Sequence, residues 1–236
     1  MLISCWSAKG GVGTTVVAAS LGLVLGKRTP GGALLADFAG DLPFVLGLPS
    51  HEGSGAASGV GPASGLGLAG WLAAGPTVPA DALGRLEVPI AAGLGLLPRG
   101  AGILAADRAE VLVALFEQLP RPVVADCGLL RCVEPFGDGS ADAAEVVARS
   151  ATRSLLVTRP CALALERVRR LACRPTGVVL VREPGHRCGR ADVEEAAGAP
   201  VVAVVESDPD VSRAVDSGLL ADRLPGTLVR GLRNAA

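Results

Sequence analysis

Short, mainly apolar segments alternate along this chain with segments of helical character. The apolar segments are bounded by glycine, proline or charged residues, as the strands of a buried parallel sheet are. Among the intervening segments, residues 105–119 place apolar side chains three and four positions apart, on one helical face. The predicted strands cover residues 2–6, 33–37, 93–98, 122–128, 154–158, 176–181 and 200–205. The predicted helices cover residues 16–25, 67–74, 81–86, 105–119, 141–149, 162–172, 192–197 and 210–217.

This alternation predicts a single α/β domain over residues 1–236, with a mostly parallel, twisted sheet of about seven strands flanked by helices. A chain of 236 residues with 50% hydrophobic content is large enough to enclose one sizeable core. Residues 50–70 are rich in glycine, serine and alanine and have no periodicity. We therefore expect a flexible surface loop there, within the domain.

The most informative stretch is residues 7–15, S-A-K-G-G-V-G-T-T, between the first predicted strand and the first predicted helix. This is the context of a phosphate-binding loop, because glycines let backbone N–H groups turn inward and a helix N-terminus attracts anions. The spacing approaches G-x-x-x-x-G-K-[ST], but Ser7 replaces the first glycine and Thr14 the lysine. Thr15 keeps the hydroxyl that would hold Mg²⁺, and Lys9 lies early in the loop. The alternative is a glycine-rich turn that binds no ligand.

Two of the predicted strands carry an aspartate at or near their ends, Asp37 and Asp126. Parallel α/β sheets present such carboxylates at the carboxyl edge of the sheet, where ligands bind. For Asp37 the alternative is a helix N-cap or a turn residue. For Asp126 the sequence D-C-G is a weak signal by itself, since many strands end in aspartate. Together with the glycine loop at the N-terminus, the segment that ends at Asp126 becomes a stronger candidate.

Charge and cysteine content narrow the classes of function. The net charge is -1 and the pI is about 6.1, so no overall basic field favours nucleic acid. The six cysteines include no C-x-x-C pair and only two histidines occur, so we expect no zinc site. Cys5 and Cys127 are expected to be small buried hydrophobes. Because the sequence has neither a targeting signal nor an apolar run of about 18 residues, we expect a soluble, cytoplasmic protein.

The sequence K-G-G-V-G-T-T resembles the deviant Walker A loop of the MinD/ParA family, which are SIMIBI-type P-loop ATPases. With threonine in place of the second lysine, it is most similar to the CpaE/TadZ-like branch, linked to localising pilus assembly and related polar machinery. The resemblance implies ATP and Mg²⁺ as ligands, and it implies that Lys9 reaches across a dimer interface to the partner's nucleotide. The phosphate-binding set that it implies is Lys9, Gly10, Gly11, Val12, Gly13, Thr14 and Thr15.

The same resemblance assigns roles at the strand ends. Asp126, with Thr15, would hold Mg²⁺, and the N–H of Gly128 would sense the γ-phosphate. Asp37 would act as the switch, so that Lys9 and Asp37 are the candidate catalytic residues.

Several positions depart from the family's pattern. Ala39 stands where the family has the aspartate that orients the attacking water, and Asp41 lies two residues later. Because Thr14 and Ala39 remove two charges, we expect hydrolysis to be slow at most. Arg182 and Glu206 replace the family's base-recognition positions, so adenine recognition is expected to differ.

The function implied is an ATP-binding protein that localises or partitions cellular machinery by nucleotide-dependent dimerisation. Its protein partners would be a second copy of the chain and an unidentified protein of secretion, pilus or division machinery. Recruitment would be to a pole, a septum or a membrane. One alternative is a non-hydrolysing pseudo-ATPase scaffold with the same fold.

The other alternative is a DNA-partitioning ParA-type ATPase. Such proteins bind DNA through basic side chains, but Glu166 interrupts the basic cluster here and the net charge is negative, so we do not expect nucleic-acid binding. MinD binds membranes through a C-terminal helix; for residues 225–236 we favour packing on the protein. The basic cluster consists of Arg167, Arg169, Arg170 and Arg174.

Overall fold

One eight-stranded sheet forms the centre of the structure, a computed structural model that describes residues 1–48, 66–75, 78–130 and 142–236. The strand order is β3-β4-β2-β5-β1-β6-β7-β8, and all neighbouring strands are parallel except β3 and β4. The mostly parallel α/β fold is therefore confirmed. The strands are β1 (Leu2–Ser7), β2 (Ala33–Asp37), β3 (Val88–Ala91), β4 (Leu94–Leu97), β5 (Val123–Leu129), β6 (Arg153–Thr158), β7 (Gly177–Arg182) and β8 (Val201–Glu206).

The strand that the sequence analysis missed is β3, at the edge of the sheet. It is only half-buried and contains Pro89, which cannot donate a ladder hydrogen bond and is confined to sheet edges. A short, half-buried strand of this kind has no apolar run by which to recognise it. The other seven strands match the predicted segments to within about two residues, as boundary assignments generally allow.

Helices cover both faces of the sheet. In the described part of the chain they are α1 (Thr14–Arg28), α2 (Leu42–Val45), α3 (Leu68–Ala73), α4 (Ala109–Gln118), α5 (Ala143–Ser150), α6 (Ala162–Arg169), α7 (Arg190–Ala197), α8 (Pro209–Asp216) and α9 (Gly226–Gly231). Two 3₁₀ helices cover Ala80–Leu86 and Ala106–Arg108. The predicted helix over 81–86 is thus a 3₁₀ helix, and the predicted helix over 105–119 is shorter.

Two hydrophobic cores lie on opposite faces of the sheet. One face packs against α1, α2, α8 and α9, and the other against α3, α4, α5, α6 and α7. Strand β1 lies between β5 and β6 and is buried along its whole length. Because β1, β2 and β5 are parallel, their carboxyl ends meet at one edge of the sheet. The glycine loop and both candidate aspartates are therefore brought together at that edge.

Two further sequence predictions are met by the structure. Cys5 and Cys127 are buried, and burial raises the pKa of both thiols, so they behave as small apolar side chains. In the C-terminal segment, α9 packs on β8 and the side chains of Leu228 and Leu232 are buried. The described residues include no helix with the length and hydropathy needed to span a membrane.

Part of the predicted flexible loop lies outside the described residues. This applies to residues 50–65, and Cys132 also falls outside them. The predicted loop ends at residue 70 and overlaps the predicted short helix over residues 67–74. In the structure, α3 begins at Leu68, so the last residues of the predicted loop are helical.

Candidate functional site

The glycine loop leads from β1 into α1 through two backbone positions that favour glycine. Gly11 has a φ of 75° and Gly13, the N-cap of α1, has a φ of 93°. A Cβ atom at Gly10, Gly11 or Gly13 would meet no other atom within 4 Å, so the loop borders open space. Helix α1 has no side-chain cap and no acidic residue in its first turn. Uncapped N–H groups and the helix dipole make this end of α1 suited to an anion.

A cavity of about 520 Å³ lies above this loop at the carboxyl edge of the sheet. The predicted nucleotide-binding residues that line it are Gly10, Gly11, Gly13, Thr14, Thr15 and Gly128. Val12 and Lys9 do not line it: the side chain of Val12 is buried in the core, and Lys9, within the loop, is partly exposed. The predicted residues Asp37 and Asp126 do not line it either, because both are fully buried. Lys9 makes no hydrogen bond or ion pair with the described residues, which leaves its ammonium free to reach outward.

Asp126 is fully buried on β5, directly before Cys127 and Gly128, which line the cavity, and it lies close to Thr15 at the start of α1. Burial raises its pKa to about 6, while the neighbouring Thr15 hydroxyl and the Gly128 N–H lower it. The Gly128 N–H donates to Asp126 Oδ1 at 3.1 Å. The predicted pair of Thr15 and Asp126 is thus brought together by β5 and α1.

Asp37 lies directly beside Asp126, because the two residues are register partners on the parallel strands β2 and β5. Burial raises the pKa of Asp37 to about 7, and the charge of Asp126 raises it further; backbone N–H groups lower it. The Gly40 N–H donates to Asp37 Oδ1 at 2.6 Å. This hydrogen bond is the one that a turn residue makes, so the alternative role considered for Asp37 explains the position of its Oδ1 but not of its Oδ2. Asp41, not Asp37, is the N-cap of α2.

The second oxygen of each aspartate is buried and has no hydrogen-bond partner among the described residues. These atoms are Asp37 Oδ2 and Asp126 Oδ2. A buried carboxylate oxygen without a donor is rare in a folded protein and points to a ligand. Hard cations such as Mg²⁺ take oxygen ligands, and Mg²⁺ usually binds one or two carboxylates, phosphate oxygens and water. Asp126 and Thr15 therefore fit Mg²⁺ held together with phosphates.

A protein-only metal site is a poorer fit. No group of three or more His, Cys, Asp or Glu side chains stands ready to hold a metal ion in residues 1–48, 66–75, 78–130 and 142–236. A divalent ion at Asp126 would thus need ligands from a bound phosphate group and from water.

The carboxylate missing from position 39 is not replaced in kind. Ala39 lines the cavity and lies against Gly128, where an added Cβ would meet the Ala39 Cβ at 3.0 Å. Asp41 also lines the cavity and is exposed. Position 39 therefore faces the cavity next to Gly128, and the carboxylate of Asp41, two residues later, belongs to the same cavity lining.

The sequence analysis missed other residues that line the cavity, above all Arg99 and Asp142. Arg99 follows β4 by two residues, and Asp142 is the N-cap of α5, where its Oδ1 accepts from the Ala144 N–H at 3.1 Å. The signal for Arg99 was present: it follows a strand of the parallel sheet at the edge where ligands bind. Only the fold reveals that β4 pairs with β2 and so places Arg99 at this cavity.

A second cavity, of about 220 Å³, adjoins the first at the start of α1. It shares Gly13 and Val16 with the first cavity and is lined largely by apolar side chains of α1, β7, β8 and α8. Near it, Arg182 and Glu206 are register partners at the ends of β7 and β8 and form an ion pair with each other. The two residues at the base-recognition positions are thus occupied with one another.

Comparison with solved structures identifies the fold. The chain is similar to the ParA family ATPase from Chlorobium tepidum TLS, with 21% identity, a TM-score of 0.72 and coverage of 98% of this chain and 95% of that one. It is also similar to the MinD cell division protein of Aquifex aeolicus, with 18% identity, a TM-score of 0.72 and coverage of 99% of this chain and 94% of that one. A third similar structure is the septum site-determining protein MinD of Pyrococcus horikoshii OT3, complexed with Mg-ADP. It has 19% identity, a TM-score of 0.68 and coverage of 98% of this chain and 91% of that one.

These similarities establish that the chain has the fold of the MinD and ParA ATPases over nearly its whole length. No protein-family model matches the sequence, and no curated protein matches it either.

Proposed function

We propose that this chain binds ATP with Mg²⁺ and positions cellular machinery by nucleotide-dependent dimerisation, in the manner of MinD and ParA. The observation that carries this proposal is the pair Asp37 and Asp126, side by side near the ends of β2 and β5, each with a buried oxygen that lacks a donor in the described part of the chain. Such an arrangement suits a cation held between carboxylate and phosphate. The Mg-ADP bound by the Pyrococcus MinD of the same fold supports the choice of ligand.

In this proposal the phosphates lie over residues 10–15. The backbone N–H groups of the loop and the N-terminus of α1 bind them, while Thr15 and Asp126 hold Mg²⁺. When bound, Mg²⁺ neutralises charge on the phosphate oxygens. The base lies in the second cavity, because that cavity meets the first at Gly13 and is mainly apolar. Gly128 responds to the terminal phosphate from the cavity wall, and Asp37, buried beside Asp126, acts as the switch.

The proposed dimer places the nucleotide sites of two copies face to face. Lys9 supports this arrangement, since it is partly exposed within the loop and has no partner among the described residues. Large apolar side chains are also exposed near the mouth of the cavity: Ile103 is 82% exposed and Leu129 is 43% exposed. Exposed apolar side chains around a polar site are suited to an interface.

We further propose the CpaE/TadZ-like branch, with a cytoplasmic protein recruited to a pole, septum or membrane by a protein partner. The support is Thr14 in the loop and Ala39 after β2, which remove two charges that hydrolysis would use. ATP would act mainly as an assembly ligand, and hydrolysis would be slow. The competing candidate is a non-hydrolysing scaffold, which the same two residues also favour. It differs from the first proposal only in that it would not hydrolyse ATP.

DNA partitioning is less well supported. Arg169 and Arg170 both pair with Glu166 on α6, so part of the basic cluster is neutralised. The C-terminal segment also offers little to a membrane, because Leu228 and Leu232 are already buried.

Isothermal titration of the chain with ATP, with and without Mg²⁺, tests the proposal. We expect binding that Mg²⁺ strengthens and that Asp126→Asn weakens only when Mg²⁺ is present. Absence of ATP and ADP binding at millimolar concentration would refute it. Binding that is indifferent to Mg²⁺ would refute the assignment of Asp126.

A further inference from the structure

Arg99 lines the nucleotide cavity with a guanidinium group that is only partly satisfied. Its Nη1 atom is buried and has no hydrogen-bond partner among the described residues, and its Nη2 donates to the Gly102 carbonyl at 3.4 Å. The described residues provide no carboxylate within ion-pair distance of it. A buried cationic donor without an acceptor is costly, so a group of this kind is suited to an anionic ligand.

The backbone that carries Arg99 is held in place. The first turn of α3 is hydrogen-bonded to the segment after β4: the Leu68 N–H donates to the Pro98 carbonyl at 2.9 Å, and the Ala69 N–H donates to the Arg99 carbonyl at 2.9 Å. Leu68 and Ala69 are themselves buried. Arg99 therefore extends into the cavity from a fixed point.

The side chain of Arg99 lies on the wall of the cavity that is formed by the segments after β2 and β4. It passes over Gly40, where an added Cβ would meet Arg99 Cδ at 3.2 Å. The neighbouring Ala39 contacts Gly128 in turn. Strands β7 and β8, which contribute to the second cavity, lie on the other side of β1 in the sheet from β2 and β4, so this wall is on the side away from the second cavity. A nucleotide with its base in the second cavity and its phosphates over the loop would present its last phosphate to this wall.

The charge of the cavity also requires a cation. Asp41 and Asp142 line it, and position 14 of the loop is threonine. Asp37 and Asp126 are buried and directly precede residues that line it. Among the described residues that line the cavity, Arg99 supplies the positive charge. Its planar group offers several donors in the geometry that matches phosphate oxygens.

We propose that Arg99 binds the terminal phosphate of ATP from within the same chain, in the role left open by Thr14. This inference rests on the proposed ATP binding and specifies which cation of the chain recognises the third phosphate. Lys9 would act from the partner copy, whereas Arg99 acts before any dimer forms. Arg99 therefore discriminates ATP from ADP in the monomer.

The test compares ATP and ADP affinities of four proteins by titration calorimetry at a concentration where the chain is monomeric. These are the wild type, Arg99→Gln, Arg99→Lys and, as a matched control, Arg85→Gln, which removes an exposed arginine that pairs with Asp81. We expect Arg99→Gln to weaken ATP binding about 10- to 100-fold, as loss of a hydrogen bond to a charged group does. ADP binding should change by less than about threefold. Arg99→Lys should be intermediate, and the control unchanged.

The outcomes separate this inference from the proposed function. If the wild type binds neither nucleotide, both fail. If the wild type binds ATP but Arg99→Gln leaves it unchanged, or weakens ATP and ADP equally, only the role of Arg99 fails. A merely structural role would lower the melting temperature and affect both nucleotides alike.

A second variant gives independent support. Thr14→Lys should restore ATP binding to the Arg99→Gln protein and improve the wild type less, because the two cations would serve the same phosphate. Equal gains in both backgrounds would overturn the shared role. If Thr14→Lys does not fold, the ATP-to-ADP comparison with Arg99→Lys decides the matter alone.

Discussion

Asp37 and Asp126 are direct neighbours across the parallel strands β2 and β5, and both carboxylates lie buried on the face of the sheet that packs against α1. Two buried carboxylates side by side destabilise each other when both are ionised. The fold tolerates this pair at the edge where the glycine loop begins α1. The strain is consistent with a ligand that supplies positive charge.

A first prediction concerns pH. The pKa is raised to about 7 for Asp37 and to about 6 for Asp126, from an ordinary value of 3.8. Between the ordinary pKa of 3.8 and the raised pKa values, the folded protein binds more protons than the unfolded chain does. The free energy of unfolding therefore falls as the pH rises through this range. We expect Asp37→Asn to stabilise the nucleotide-free protein by about 1–3 kcal/mol above pH 7 and to have no effect below about pH 4. Asparagine keeps an acceptor for the Gly40 N–H.

Chemical denaturation at several pH values measures this difference. Asp222→Asn, at an exposed position on the C-terminal segment, serves as the control and should change stability little throughout. A stabilisation by Asp37→Asn that does not depend on pH would contradict the electrostatic origin. ATP binding with Mg²⁺ should show the opposite trend and strengthen from pH 5.5 to 8, because Mg²⁺ requires ionised ligands.

The second prediction concerns the glycine loop. Gly13→Ala should destabilise the protein by about 1 kcal/mol, because a side chain at positive φ is strained. It should also weaken ATP binding about tenfold or more, since the new Cβ enters the space that the phosphates approach. Gly185 has a φ of 88°, and a Cβ there likewise meets nothing within 4 Å.

Gly185→Ala is therefore a matched control with the same backbone strain away from the cavity. We expect equal losses of stability and a loss of ATP binding for Gly13→Ala alone. If both variants bind ATP like the wild type, the loop does not hold the phosphates.

The third prediction concerns the dimer, and the chain supplies its own control. Lys9 lies in the loop that precedes α1, whereas Lys27 is exposed in the last turn of α1. Sedimentation velocity with ATP and Mg²⁺ should show a dimer for the wild type and for Lys27→Ala, and mainly monomer for Lys9→Ala. The physical reason is that Lys9 would neutralise phosphate charge across the interface. A dimer that survives Lys9→Ala, or none with ATP, would contradict this role.

Local sequence was sufficient to predict much of this molecule. The apolar run before residues 7–15 and the helix after them defined the loop, and the strands ending near Asp37 and Asp126 defined the carboxylates. These features are local, because alternation of buried strands and helices dictates a parallel sheet whose carboxyl ends share one edge.

Other features depend on strand order, which local sequence does not encode. Arg99 reaches the cavity only because β4 pairs with β2. Asp37 and Asp126 become neighbours only because β5 enters between β1 and β2. The edge strand β3, half-buried and containing Pro89, has no pattern that distinguishes it from a loop. Tertiary pairing thus determined what the sequence analysis missed.

The last prediction concerns catalysis. Phosphoryl transfer depends on positioning and on stabilisation of charge, and loss of one preorganised group typically costs about 10²–10³ in rate. Thr14 and Ala39 both line the cavity, and Ala39 contacts Gly128, so a carboxylate at position 39 would enter beside the terminal phosphate. Thr14→Lys together with Ala39→Asp should therefore raise the steady-state ATPase rate at least about tenfold.

The two single variants, Thr14→Lys and Ala39→Asp, show how much each position contributes to the ATPase rate. Adding Asp126→Asn to the double variant should remove the increase in rate if Mg²⁺ is required. Thr14 is 8% exposed, so the melting temperature must be checked before the rate of Thr14→Lys is interpreted. Ala39 is partly exposed, and Ala39→Asp should fold normally. A stable double variant that binds ATP but hydrolyses it no faster than the wild type would show that these two positions do not limit turnover. The slow step would then lie in the geometry of the site or in formation of the dimer.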